Sequence, residues 1–132
     1  MQSNSNLANL FRKNMYGRLL VAHTMLIIRL LDKLEFGGEI EMDIHDLIVN
    51  ELFNKKSIAA LIFLIDCGRE LEFKMNEKEY FISCDSSKKY VSLWENKNEQ
   101  CFDSVLELIE NATIENMFFY TAWEQAELEY LY

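Results

Sequence analysis

The chain has 132 residues, half of them apolar, with 22 acidic against 13 basic side chains and a net charge of −9. That is enough for one domain, 1–132, with a real core, and too apolar for a disordered chain. The acidic surplus excludes direct nucleic-acid recognition, which needs clustered Lys and Arg; four glycines and no proline leave no Gly-rich phosphate loop and no Pro-rich linker.

Residues 1–6 are polar and read as a mobile start, with Met1 and Met15 both open as the natural first residue. Leu7, Leu10, Phe11 and Met15 mark one helical face. Gly17 predicts a bend, because Gly costs a helix about 1 kcal/mol relative to Ala. Arg18 to Leu34 is apolar almost all round, the pattern of a central core helix or of a homodimer contact. Gly37-Gly38 stops it. Asp43 is placed to cap a short helix with Ile44, Leu47, Ile48, Leu52 and Phe53 as its stripe. Ser57 is placed to cap a third helix, which ends near Cys67 with Gly68 just beyond.

The period then changes to two. Leu71, Phe73 and Met75 alternate with Glu72 and Lys74. Tyr80, Ile82 and Cys84 alternate with Glu79, Phe81 and Ser83. Tyr90 to Trp94 follows as a third strand, and Glu95 to Glu99 reads as a polar connection. Ser104-Val105-Leu106-Glu107 matches a capping box, with Ser104 taking the Glu107 amide and Glu107 reaching back to the Ser104 amide. Val105, Leu108 and Ile109 face inward, and Glu107 and Glu110 outward. Asn111 ends this helix. Ile114 to about Gln125 reads as another, and Glu127 to Tyr130 alternates again, as a short strand returning to the sheet would.

The predicted fold class is therefore α+β: N-terminal helices packed on a small antiparallel β-meander, with an acidic helical C-terminal segment. Leu71, Phe73, Tyr80, Ile82, Val91 and Leu93 form the buried face, opposite the helix around Met25 to Leu31.

The chemistry-bearing residues are few. His23 and His45 are the two histidines, each in a helical stretch with no activating motif beside it. His45 with Asp43 or Asp46 is too small a ligand set for a metal, and Asp43 is already explained as a cap. Cys67, Cys84 and Cys101 are evenly spaced and odd in number, which suits reduced thiols in the cytoplasm rather than a zinc site or disulfide framework. The apolar run Ile58 to Ile65 is too short to span a bilayer. These residues indicate no enzyme, no cofactor and no membrane partner.

Charge is uneven. Residues 1–38 carry five basic and two acidic groups (+3); residues 39–132 carry eight and twenty (−12). Asn98 to Tyr132 contains no Lys or Arg. Aromatics lie among its carboxylates, and the plain expectation is that they fill the core while the carboxylates confer solubility. The functional expectation is one negative face with aromatic anchors, made from Glu107, Glu110, Glu115, Trp123, Glu124, Glu127 and Glu129. Such a face suits blocking the basic active site of a nuclease. The basic N-terminal helix is an internal counterpart that could cover it.

The runs Gly68-Arg69-Glu70-Leu71-Glu72-Phe73, Glu79-Tyr80-Phe81-Ile82-Ser83 and Cys101-Phe102-Asp103-Ser104-Val105-Leu106-Glu107-Leu108-Ile109-Glu110-Asn111-Ala112, together with size and acidity, resemble small bacterial immunity proteins of toxin–immunity systems, including contact-dependent inhibition. The resemblance implies a cognate basic protein toxin as partner and carries over no binding residues. The alternative is a phage or mobile-element inhibitor that mimics DNA charge to block a host defence nuclease.

Overall fold

A computed structural model describes residues 27–28, 43–85 and 87–132. Contacts divide the chain into two units, 1–61 and 62–132. The expected bend at Gly17, the stop at Gly37-Gly38 and most of the apolar helix 18–34, with its homodimer contact, lie outside the described residues. Of that helix only Ile27 and Ile28 are described; they are helical and about half exposed.

In the first unit, α1 runs Ile44–Lys55. Asp43 caps it: its Oδ1 accepts the Asp46 amide at 2.9 Å. The helix stops at Lys56, whose left-handed backbone (φ 48°) returns its amide to the Leu52 carbonyl. Leu47, Ile48 and Leu52 are buried as expected. Ile44 and Phe53, expected in the same stripe, are exposed, and Glu51 is buried instead. The buried face is thus i, i+1, i+4, i+5, narrower than the apolar composition suggested.

The next helix, α2 (Ile58–Asp66), begins in the first unit and ends in the second. The Ser57 hydroxyl accepts the Ala60 amide at 3.2 Å, the cap read from the sequence. At the other end Gly68 sits at φ +91°. Its amide bonds the Ile65 carbonyl, and the Arg69 amide reaches the Leu64 carbonyl. This pair of bonds is a Schellman stop, and the positive φ is why glycine stands there.

The second unit is built on a five-stranded antiparallel sheet. Its strands are β1 (Leu71–Met75), β2 (Lys78–Asp85), β3 (Tyr90–Glu95), β4 (Asn98–Phe102) and β7 (Glu127–Leu131), in the order β4-β3-β2-β1-β7. The fold class is α+β, as expected, but the meander has four strands. The Glu95 to Glu99 connection is a tight hairpin: Glu95 pairs with Asn98, leaving Asn96 and Lys97 as a two-residue loop with Asn96 at φ 54°. The return strand at Glu127 is present and pairs with β1.

Between β4 and β7 lie α3 (Val105–Asn111), the hairpin β5 (Thr113–Ile114) and β6 (Met117–Phe118), a one-turn α4 (Phe119–Ala122) and a 3₁₀ turn (Trp123–Gln125). The single helix expected over Ile114 to Gln125 is therefore interrupted. Glu115 and Asn116 both take positive φ, 52° and 66°, which makes a primed turn and forces the chain to double back before it can wind. Asn76 and Glu77 (φ 50° and 65°) make the same turn between β1 and β2. The two turns are tied: Glu115 accepts the Asn76 side-chain amide at 2.8 Å and lies 3.5 Å from Lys78.

The core of this unit is aromatic. Phe73 is fully buried. It stacks on Tyr80 (5.3 Å) and meets Phe119 and Trp123 edge-on, at 6.3 and 5.8 Å. Phe119 and Trp123 stack on each other at 5.5 Å. Leu71, Ile82 and Leu93 share this face of the sheet and are almost wholly buried, as expected. Phe119 and Trp123 from the C-terminal segment pack directly on it.

Candidate functional site

The seven residues expected to form one acidic face are spread over different elements and roles. Glu107 is exposed at the start of α3, where Ser104 Oγ accepts its amide at 3.1 Å. Its own carboxylate accepts the Asp103 amide at 3.1 Å, one residue earlier than the expected Ser104. Glu110 does not face outward: it is 9% exposed, and its Oε1 has no hydrogen-bond partner. Trp123 is 3% exposed and belongs to the aromatic core. Glu115 is engaged with Asn76 and Lys78. Glu129 pairs with Lys74 at 2.7 Å and holds the Lys74 ammonium above its usual pKa. Glu124 and Glu127 are exposed. Two of the seven are thus buried, and three of the rest have local structural work.

The outer face of the sheet carries a more coherent set. Strand pairing aligns Glu99, Trp94, Phe81, Glu72 and Tyr130 in a single row across all five strands. Alternation places them opposite the buried Leu71, Phe73, Tyr80 and Ile82. Phe81, Trp94 and Glu72 are half-buried, and Tyr130 is 62% exposed. Tyr132, 60% exposed, joins them: its ring meets Phe81 at 6.2 Å and its hydroxyl donates to Glu72 at 2.7 Å. That bond to a carboxylate raises the phenol's pKa. A β-bulge between Glu72 and Phe73 sets the register of β7 here.

Two serines fix this face. The Trp94 indole N–H donates to Ser83 Oγ at 3.0 Å, and Ser92, fully buried, donates to Glu99 at 2.6 Å. Both bonds run diagonally between neighbouring strands, so small polar residues hold the large ones in place. The neighbouring row adds Glu79, Lys74 and Glu127, with Glu129 beside them. Among the described residues the face therefore carries five carboxylates, Glu72, Glu79, Glu99, Glu127 and Glu129, against the Lys74 ammonium, with the Arg69 guanidinium at its edge on the Tyr132 and Leu131 carbonyls. Sequence reasoning missed it, although a signal was present: Phe81 and Trp94 stand at outward positions of their strands.

A groove of about 400 Å³ lies elsewhere in this unit, with Asp66, Cys67, Cys84, Asp85, Lys89 and Asp103 among its lining residues. Burial pushes the Cys84 thiol upward, and the Glu70 and Asp85 charges add to this; the thiolate needed for nucleophilic attack is disfavoured. The Ser87 hydroxyl and Lys88 amide hold Asp85 below its usual value. Desolvation raises Asp66. In the first unit, Asp43, His45 and Asp46 bring one ligand atom each within 4.8 Å, with Asp43 committed to its cap.

No family model, no curated protein and no solved structure matches the chain.

Proposed function

We propose that the protein is a non-catalytic cytoplasmic inhibitor that docks on a basic protein, as the immunity partner of a toxin nuclease. The observation that carries this reading is the distribution of charge between the two units. Residues 1–61 hold seven basic and seven acidic side chains, whereas residues 62–132 hold six and fifteen, so the whole net charge of −9 sits in the second unit. A field concentrated in one unit steers a cationic partner toward it and speeds association by about 10- to 1,000-fold at low salt. Occupying the partner's basic cleft then excludes phosphate without any chemistry by the inhibitor.

Two further observations support the reading. The one half-buried thiol in the groove is held protonated, which suits a thiol without a catalytic task. All three cysteines are free, two of them exposed, which suits a reducing compartment. Among the described residues no helix is long and apolar enough to cross a membrane.

The test is co-expression with any toxin nuclease whose gene proves to neighbour this one, followed by stopped-flow association of the purified pair. Protection of the cell and an association rate that falls at least tenfold between 50 and 500 mM salt are expected. A salt-independent rate, or no protection, would refute the reading.

A further inference from the structure

The geometry points to the outer sheet face, the row Glu99–Trp94–Phe81–Glu72–Tyr130 with Tyr132, as the docking surface, and to an arginine-rich segment of a cationic protein as its occupant. This rests on the acidic-docking reading above and moves its contact from the helical C-terminal segment to the sheet.

Three features single this surface out. The first is charge: among the described residues five carboxylates face the Lys74 ammonium, held by Glu129 at 2.7 Å, and the Arg69 guanidinium at the edge, which donates to the Tyr132 and Leu131 carbonyls. The second is composition. Four aromatic rings flank the carboxylates, and arginine is the cation that uses both, stacking its planar guanidinium on a ring while donating to a carboxylate. Lysine, a compact and strongly hydrated charge, gains less from the rings. The third is preorganisation. Trp94 is tied to Ser83 and Glu99 to Ser92, while Glu72 receives the Tyr132 hydroxyl. Side chains held before contact lose less entropy when a partner arrives. Tyr130 and Tyr132 remain more than half exposed, where a partner can bury them.

The helical segment lacks these features. Trp123 is committed to the core, Glu110 is buried, and Glu107 caps its own helix. It offers exposed carboxylates at Glu124 and Glu127, and Glu127 belongs to the sheet.

The experiment titrates the full-length ¹⁵N-labelled protein with a nona-arginine peptide and, separately, with a nona-lysine peptide at 50 mM salt. The expected result is a shift of the Trp94 indole resonance and of the Phe81, Glu72 and Tyr130 amides, with the Trp123 indole unmoved. The arginine peptide should bind at least threefold more tightly than the lysine peptide. Replacing Tyr130→Ser with Tyr132→Ser should weaken it at least tenfold without loss of the folded spectrum, because both rings are mainly in solvent. Replacing Glu107→Lys with Glu124→Lys should change it less than threefold. If the second pair of substitutions costs as much as the first or more, the sheet is the wrong surface while acidic docking survives. If neither peptide binds, both ideas fall. If the same resonances move with protein concentration alone, the face takes a second copy of the chain, and the arginine assignment is overturned.

Discussion

Phe73 and Phe81 face each other's neighbours across one hairpin, yet they should respond to truncation very differently. Phe73 is fully buried and touches three other rings, Tyr80, Phe119 and Trp123. Phe73→Ala removes that burial and leaves a cavity the stacked Phe119 and Trp123 cannot close, so a loss of about 4 kcal/mol is expected, within the range of about 3–5 for buried Phe→Ala. Phe81 is half-buried on the opposite face and, among the described residues, meets the ring of Tyr132. An edge contact and partial burial are worth about 1–1.5 kcal/mol. Urea unfolding followed by far-ultraviolet circular dichroism and tryptophan fluorescence measures both. A one-residue slip in register would exchange the two faces. Equal losses for the two variants, or a loss below about 2 kcal/mol for Phe73→Ala, would therefore refute the assignment of inner and outer face.

Three further outcomes follow from the geometry. Gly68→Ala places a Cβ in open space but at φ +91°, so it should destabilise by about 1–2 kcal/mol through the backbone alone, seen as a lower urea midpoint with an unchanged slope. In thiol titration at pH 8, Cys67 and Cys101 should react quickly and Cys84 slowly, since Cys84 is less accessible and its thiol is raised; three equal rates would contradict the packing around β2. Asp66 and Asp85 should have opposite pH signatures. The raised Asp66 carboxyl favours the folded state when protonated, fully below its ordinary 3.8, and that contribution is lost as pH rises through the folded value; Asp66→Asn should stabilise at pH 7 and not at pH 3. The lowered Asp85 carboxyl stabilises above 3.8 and loses this as pH falls through its folded value, so Asp85→Asn should destabilise at pH 7 and not in strong acid.

Much of the described chain was legible because it obeys strong local signals. The alternation of Leu71, Phe73 and Met75, the caps at Asp43, Ser57 and Ser104, and the glycine stop at Gly68 all have short-range physical causes. The two hairpins that escaped, at Asn96-Lys97 and Glu115-Asn116, lack the Asn-Gly or Asp-Gly pair that announces a primed turn. Glu115 takes a left-handed backbone that a glutamate rarely chooses; its side chain bonds Asn76 and pairs with Lys78, contacts made across the fold and invisible in sequence. Gln100 is similar: its side chain bonds both the amide and the carbonyl of Thr113, replacing a stretch of strand pairing with one side chain. Glu110 lies in the expected α3 and is buried beside Leu108 and Ile109, a burial that a glutamate does not signal in sequence; Trp123 is misplaced when the chain after Ile114 is read as one continuous helix. Once β5 and β6 interrupt it, the outward positions change.

The attachment of β7 has a kinetic consequence. Strands β1 to β4 join through tight local turns, so their pairing closes short loops. The ladder between β1 and β7 forms only after residues 76–126 have been gathered in, and the cost of closing a loop rises with its length. The last strand should therefore dock late in folding and be among the first to detach, with amide hydrogens that exchange sooner than those of β2. Tyr130 and Tyr132 travel with it, whereas Phe81 and Trp94 stay on the early-forming meander. Whatever rests on those four rings together rests on a completed sheet, and would sense the rare molecules in which the edge has come away.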